Sequence, residues 1–156
     1  MTPATKFLDK NKCKYSILQY ECDAKSDFGV IAAEKLKKPQ DQVYKTLITH
    51  CEKNYVTAVI PVNTVLNLKK AAKLAGLKRL EMVKPSDAEK LTGYVCGGIS
   101  PFGQKRQNIT IVSDVSEIVE TMIVSGGRRG LSIEIEPSSL CTLLNAKVGD
   151  ITDQIN

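Results

Sequence analysis

The sequence predicts an α/β or α+β fold built on a mixed, curved sheet, and two observations carry that expectation. Segments rich in β-branched residues, at Val43 to His50, Tyr55 to Val62, Ile109 to Val112, Thr121 to Val124 and Leu131 to Ile135, read as strands. Helical segments fall between them irregularly, without the alternation that a Rossmann fold requires. At 156 residues the chain suits one domain over residues 1–156, able to bury a core without metal or disulfide staples.

Taken in order, Thr2 is placed to cap a helix with Pro3 at its first position, running to about Lys12. Tyr15 to Tyr20 reads as a strand, Glu21 to Asp27 as a polar loop, and Gly29 to Lys37 as a helix ended by Pro39. Cys51-Glu52-Lys53-Asn54 separates the next two strands as a hairpin turn. Leu68 to Ala75 forms a basic amphipathic helix that Gly76 can end in a left-handed conformation. Arg79 to Val83 is a short strand, and Ser86 with Glu89 gives a capping-box pattern for a helix stopping at Gly93. Ser125 to Gly130 reads as a loop, and Pro137 opens a last helix to about Asn145.

The chain carries 22 basic and 17 acidic residues, a net charge of +5 that favours an anionic partner. Trp is absent and aromatics are few, which disfavours a broad base-stacking platform. No apolar run approaches the ~18 residues that span a bilayer, and Met1-Thr2-Pro3-Ala4 does not read as a secretory signal, so the expected address is the cytoplasm, away from membranes. Cys13, Cys22, Cys51, Cys96 and Cys141 form no CxxC pair and read as reduced thiols. His50 is the sole histidine, so no metal site and no cofactor are expected.

Three segments can carry chemistry. In Val43-Tyr44-Lys45-Thr46-Leu47, a strand puts Lys45 on one face with Val43 and Leu47. Such a lysine either points into a cavity that wants charge or guards an edge strand against aggregation. Thr92 to Gly103 holds four glycines, which let a backbone approach a ligand and present N–H donors, or else form an ordinary multiple turn. Val124-Ser125-Gly126-Gly127-Arg128-Arg129-Gly130 is a tight loop with two arginines suited to phosphate. Neither glycine segment has P-loop spacing. No Ser or Cys nucleophile is paired convincingly with His50, and Cys96 beside Gly97 reads better as a gap-filler than as a catalytic thiol. The pattern is a lysine among many amides with no attacking group.

In these segments the chain resembles the YbaK-type Cys-tRNA(Pro) and Cys-tRNA(Cys) deacylases, relatives of the editing domain of bacterial prolyl-tRNA synthetase. The likeness runs nearly end to end, through Phe28-Gly29, Val43-Tyr44-Lys45-Thr46-Leu47, Leu66-Asn67-Leu68-Lys69-Lys70, Thr92-Gly93-Tyr94, Gly97-Gly98-Ile99-Ser100-Pro101 and Val124-Ser125-Gly126-Gly127. It implies a partly closed β-barrel surrounded by helices. It implies that Lys45 matches the family's essential lysine, and that Tyr20, Phe28, Thr46, Gly97 and Ser125 fall on pocket positions; Gly98, Gly126 and Gly127 are expected to bind substrate beside them. The substrate would be the aminoacylated 3′ end of tRNA, edited in trans, with prolyl-tRNA synthetase a candidate partner.

The family reaction supplies the missing attacking group: the substrate's own cysteine thiol attacks its ester, and the enzyme orients and stabilises. Lys69, Lys70, Arg128 and Arg129 are placed either for tRNA phosphates or on solvated faces. Two positions depart from the pattern. Val30 stands where relatives commonly carry an acid, and Ser132 where some carry Asp. Alanine editing of tRNA(Pro), or a non-catalytic tRNA- or effector-binding module of the same fold, are the competing functions.

Overall fold

The computed structural model describes residues 1–155. The elements are α1 (Pro3–Lys10), β1 (Ser16–Gln19), α2 (Phe28–Leu36), β2 (Tyr44–Cys51), β3 (Asn54–Pro61), β4 (Thr64–Leu66), α3 (Leu68–Ala75) and β5 (Glu81–Met82). They continue with α4 (Pro85–Thr92), β6 (Ile109–Ser113), a 3-10 turn (Asp114–Ile118), β7 (Met122–Arg128), β8 (Leu131–Ile135), α5 (Pro137–Leu144), β9 (Lys147–Gly149) and β10 (Thr152–Gln154).

The main sheet has the order β5-β2-β3-β6-β9, and its pairings are mixed: β2 runs antiparallel to β3 and β5, while β3–β6 and β6–β9 are parallel. A second sheet, β1-β8-β7, is antiparallel throughout. The two meet where Val43 bridges Ile123 in parallel and the Ile123 amide donates to the Gln42 carbonyl at 2.9 Å. That junction half-closes the strands around a core without completing a barrel, as the mixed, partly closed fold predicts.

Both faces of β3 are covered, which is why Val56 to Ile60 are all buried, Thr57 included, with no alternation. On one side α3 lies on Val56, Ala58, Ile60 and Ile111 through Ala71, Ala72 and Ala75, whose small side chains permit a close approach. On the other, Val59 and Val112 join Phe102, Met122, Ile133 and Leu140 in the largest core. A third cluster packs Ala32 and Ala33 of α2 on Val43, Val62 and Ile123, and seats that helix over the start of β2.

Several local expectations need correction. Ser86 does not cap α4: Pro85 occupies the first turn, Lys84 precedes it without a side-chain cap, and Glu89 turns instead to the Cys96 amide, 2.8 Å away. Ser125 to Gly130 is mostly strand, since β7 runs to Arg128 through a bulge and pairs Ser125 with Ser132 and Arg128 with Leu131. Only Arg129 and Gly130 turn the hairpin. The short strands β4, β9 and β10 have no counterpart in the sequence reading. The expected cap of α1 by Thr2 is present as a reciprocal pair with Thr5, and Gly76 ends α3 at φ +77°. Among the described residues no helix is long and apolar enough to cross a membrane.

Candidate functional site

β2 pairs with β3 along its whole length, but its other edge is covered only at the ends. Val43 bridges β7, and Thr49 and His50 pair with β5. Between them Tyr44 to Ile48 face a cavity of about 290 Å³. Because the cavity opens on the strand's edge, residues of both faces border it, and Lys45 and Thr46 do so together despite the strand's two-residue period.

This cavity collects Tyr20, Phe28, Lys45, Thr46, Gly97 and Ser125 from five separate segments. Lys45, opposite Ile60 on β3, is half-buried, so it is not an edge charge turned to solvent. Burial pulls its ammonium below the ordinary lysine pKa, with Asp27 acting in the opposite direction. No carboxylate among the described residues pairs with it within 4.0 Å. α2 begins at the same place: a Cβ on Gly29 would lie 2.4 Å from Val62 Cγ1 and 3.9 Å from Lys45 Cβ, so the missing side chain lets the helix settle over the lysine.

Thr46 Oγ1 is buried without a hydrogen-bond partner among the described residues, as is Tyr44 Oη beside it on β2. The Tyr20 phenol is pushed up by burial and by Cys22, against the backbone of Gly130 and the Ser132 hydroxyl. Ser132 is itself buried, lines the cavity and lies opposite Ser125. Val30 instead joins the apolar cluster beneath α2.

The glycine segment is irregular yet firmly tied. Tyr94 donates its hydroxyl to the Phe102 carbonyl at 2.6 Å, and Gln104 Nε2 donates to Ser100 O at 3.0 Å. Gly97 adopts φ +86°, and a Cβ there would lie 2.8 Å from the Phe28 ring. Gly98, Gly126 and Gly127, expected to bind substrate, are not among the residues that line the cavity. Close packing accounts for their small size: added Cβ atoms would approach Arg128 Cα at 2.7 Å, Leu131 Cγ at 2.9 Å and Thr2 Cβ at 2.9 Å.

Gly29, Met82, Val83 and Cys96 also line the cavity, and no local pattern in the sequence marks them for it. Cys96 is held at both ends of its peptide, its amide donating to Glu89 and its carbonyl accepting from Arg129 Nε at 2.8 Å. Burial and Glu89 push its thiol up, which disfavours the thiolate needed for attack. His50 stacks on Tyr55 and does not border the cavity. Lys70 is engaged with Asp150 and Asp153, whereas Lys69 is exposed.

A mixed fold brings a half-buried lysine, a buried unpartnered hydroxyl and a fixed glycine turn to one small cavity, which makes it the candidate site. The comparisons with known proteins agree on its kind. The model of the aminoacyl-tRNA editing domain matches residues 30–143. A protein of Enterococcus faecalis named "Putative Cys-tRNA(Pro)/Cys-tRNA(Cys) deacylase EbsC" is 36% identical over 152 residues, covering 97% of this chain and 93% of that one. Among solved structures, the hypothetical protein APE2540 superposes with a TM-score of 0.86 at 22% identity, over 97% of this chain and 99% of that one. A "putative trans-editing enzyme for prolyl tRNA synthetase" does so with a TM-score of 0.83 at 21% identity, over 97% and 95% of the two chains, and both likenesses concern the fold. The chain belongs to the aminoacyl-tRNA editing domain family. Editing an aminoacyl-tRNA means breaking its aminoacyl ester, so its activity is that of an aminoacyl-tRNA deacylase.

Proposed function

We propose that the chain removes mischarged cysteine from tRNA(Pro), with Cys-tRNA(Cys) a second substrate, acting in trans in the cytoplasm as one editing unit over residues 1–156. The observation that carries this reading is the lysine-bearing cavity with no activated nucleophile: the Cys96 thiol is held in its neutral form, and His50 lies elsewhere. The name of the Enterococcus faecalis relative supports cysteine as the amino acid removed.

On this reading the substrate brings the nucleophile. Its thiol sulfur attacks the ester carbonyl, a C–S bond forms and the C–O bond to the terminal ribose breaks. The thiol proton passes to the departing ribose oxygen, leaving a cyclic thiolactone and free tRNA. The protein's share is orientation and charge stabilisation. Lys45 faces the negative charge that develops on the carbonyl oxygen. Thr46 Oγ1 takes a hydrogen bond from or gives one to the amino-acid portion, and Phe28 with Tyr20 bounds the side-chain space. Prolyl-tRNA synthetase is the partner from which a domain of this size would receive its tRNA.

Incubation with Cys-, Ser- and Ala-tRNA(Pro) tests the assignment. Rapid loss of cysteine is expected, with serine far slower because a hydroxyl is the poorer nucleophile. Release of alanine with cysteine retained would transfer the activity to alanine editing, and salt-sensitive tRNA binding without cleavage would make the chain a binding module.

A further inference from the structure

The geometry points to Arg129 as a phosphodiester-binding residue at the mouth of the cavity, held ready by Phe28 and Cys96 to take the backbone phosphate next to the terminal nucleoside. This rests on the deacylase reading and adds to it the group that positions the nucleic-acid end of the substrate.

Three observations carry the assignment. The Arg129 guanidinium carbon lies 4.6 Å from the centre of the Phe28 ring, within cation–π range. Its Nε donates to the Cys96 carbonyl at 2.8 Å. Phe28 and Cys96 both border the cavity, so this arginine, itself outside the lining, touches the rim at two points. A Cβ on Gly97 would lie 2.9 Å from the same Nε, so the turn closes tightly beneath it.

What is left over is the outer part of the guanidinium. Of the group's five donors, Nε is spent on Cys96, and the side chain forms no ion pair within 4.0 Å among the described residues. Glu89, the nearby acid on α4, is engaged by the Cys96 amide. The residue is exposed although its plane is fixed on two sides. A stacked, oriented guanidinium with free terminal nitrogens suits the paired oxygens of a phosphate, which a flexible lysine would meet only as a point charge. Arg129 is not among the residues that line the cavity, so a phosphate taken by its guanidinium lies at the rim and not inside.

The test uses two probes that the enzyme does not cleave, adenosine and adenosine 5′-methylphosphate, titrated by NMR into the wild type and into R129A, R129K and R128A. The wild type is expected to bind the methylphosphate about 10-fold more tightly, a preference that shrinks as salt rises. R129A should abolish the preference while leaving adenosine affinity in place, R129K should retain only part of it, and R128A should keep it. Equal affinity of the wild type for both probes would overturn the assignment. So would an R129A variant that keeps the preference, or one that weakens both probes alike, since the last is the mark of a residue that only props the turn. Because no ester is broken, the outcome is independent of whether the protein deacylates Cys-tRNA(Pro).

Discussion

Gly97 and Phe28 meet so closely that a Cβ on the glycine would lie 2.8 Å from two atoms of the ring. The contact joins the start of α2 to the turn after α4, and so fixes the width of the cavity mouth. Gly97→Ala must also place an alanine at φ +86°, a left-handed position costing about 1–2 kcal/mol for an L-residue. A melting temperature lowered by several degrees is expected, with deacylation reduced by about 100-fold as Phe28 is displaced. Calorimetry beside initial rates measures the two effects. Full activity in a folded G97A protein would remove this contact from the site.

Burial of Lys45 weighs against its charged form. Its folded pKa lies below the ordinary lysine value because burial outweighs Asp27. Between the folded and unfolded values the unfolded chain therefore binds more protons, and stability rises with pH across that window. Lys45→Met should flatten this rise and leave the melting temperature at neutral pH no lower than in the wild type. The same change should lower kcat by about 10²–10³-fold, as when an oxyanion-stabilising donor is removed. Wild-type activity should fall as pH climbs through the lowered lysine pKa. Paired pH series of melting temperature and rate check both statements, and a K45M protein with wild-type kcat would exclude the lysine from the mechanism.

The N-terminus bears on the site from a distance. Thr2 caps α1 through its reciprocal bond with Thr5 and also donates its hydroxyl to the Gly126 carbonyl at the β7 bulge. Thr2→Val keeps the shape and loses the hydroxyl's bonds to the Thr5 amide and the Gly126 carbonyl, and should destabilise by about 1–2 kcal/mol. The hairpin that carries Ser125 and Arg129 should loosen with it, seen as faster amide hydrogen exchange at Gly126 and Gly127 than at the distant β2–β3 pairs. Unchanged exchange there would show that the tie is merely a helix cap.

Local chemistry made much of this legible in advance. Thr2-Pro3 fixes a helix start and Gly76 a helix end, because caps depend on a few neighbouring residues. The longer strands of the main sheet, β2, β3 and β6, are legible in their β-branched residues. Ser86 misled because Pro85 beside it claims the same first turn. The strands β4, β9 and β10 stayed hidden because three residues carry no periodicity and exist only through distant partners, such as Thr152 opposite Leu66. For the same reason Lys45 was ambiguous in one dimension: its meaning depends on a gap between β5 and β7 on the far edge of β2, which no local pattern records. Glycines are legible as glycines but not by purpose, and the structure separates Gly97, at the cavity, from Gly98, pressed on Arg128.

Thr46 offers a test in which stability and function should move in opposite directions. Its Oγ1 is buried and unpartnered, and an unsatisfied buried hydroxyl costs about 1–3 kcal/mol in the ligand-free protein. Valine has nearly the same shape and suits a strand, so Thr46→Val should raise the melting temperature. If the hydroxyl exists to hydrogen-bond the aminoacyl group, the gain appears together with a loss of about 10-fold in kcat/KM. A loss confined to KM would place the bond in the ground and transition states alike, and an equal loss in kcat and kcat/KM would place it in the transition state alone. Thr46→Ser, which keeps the oxygen, should recover most of the activity without the added stability. A T46V protein that is more stable and equally active would mean that the orphaned oxygen serves no ligand, leaving Lys45 and the Gly97 turn to orient the ester.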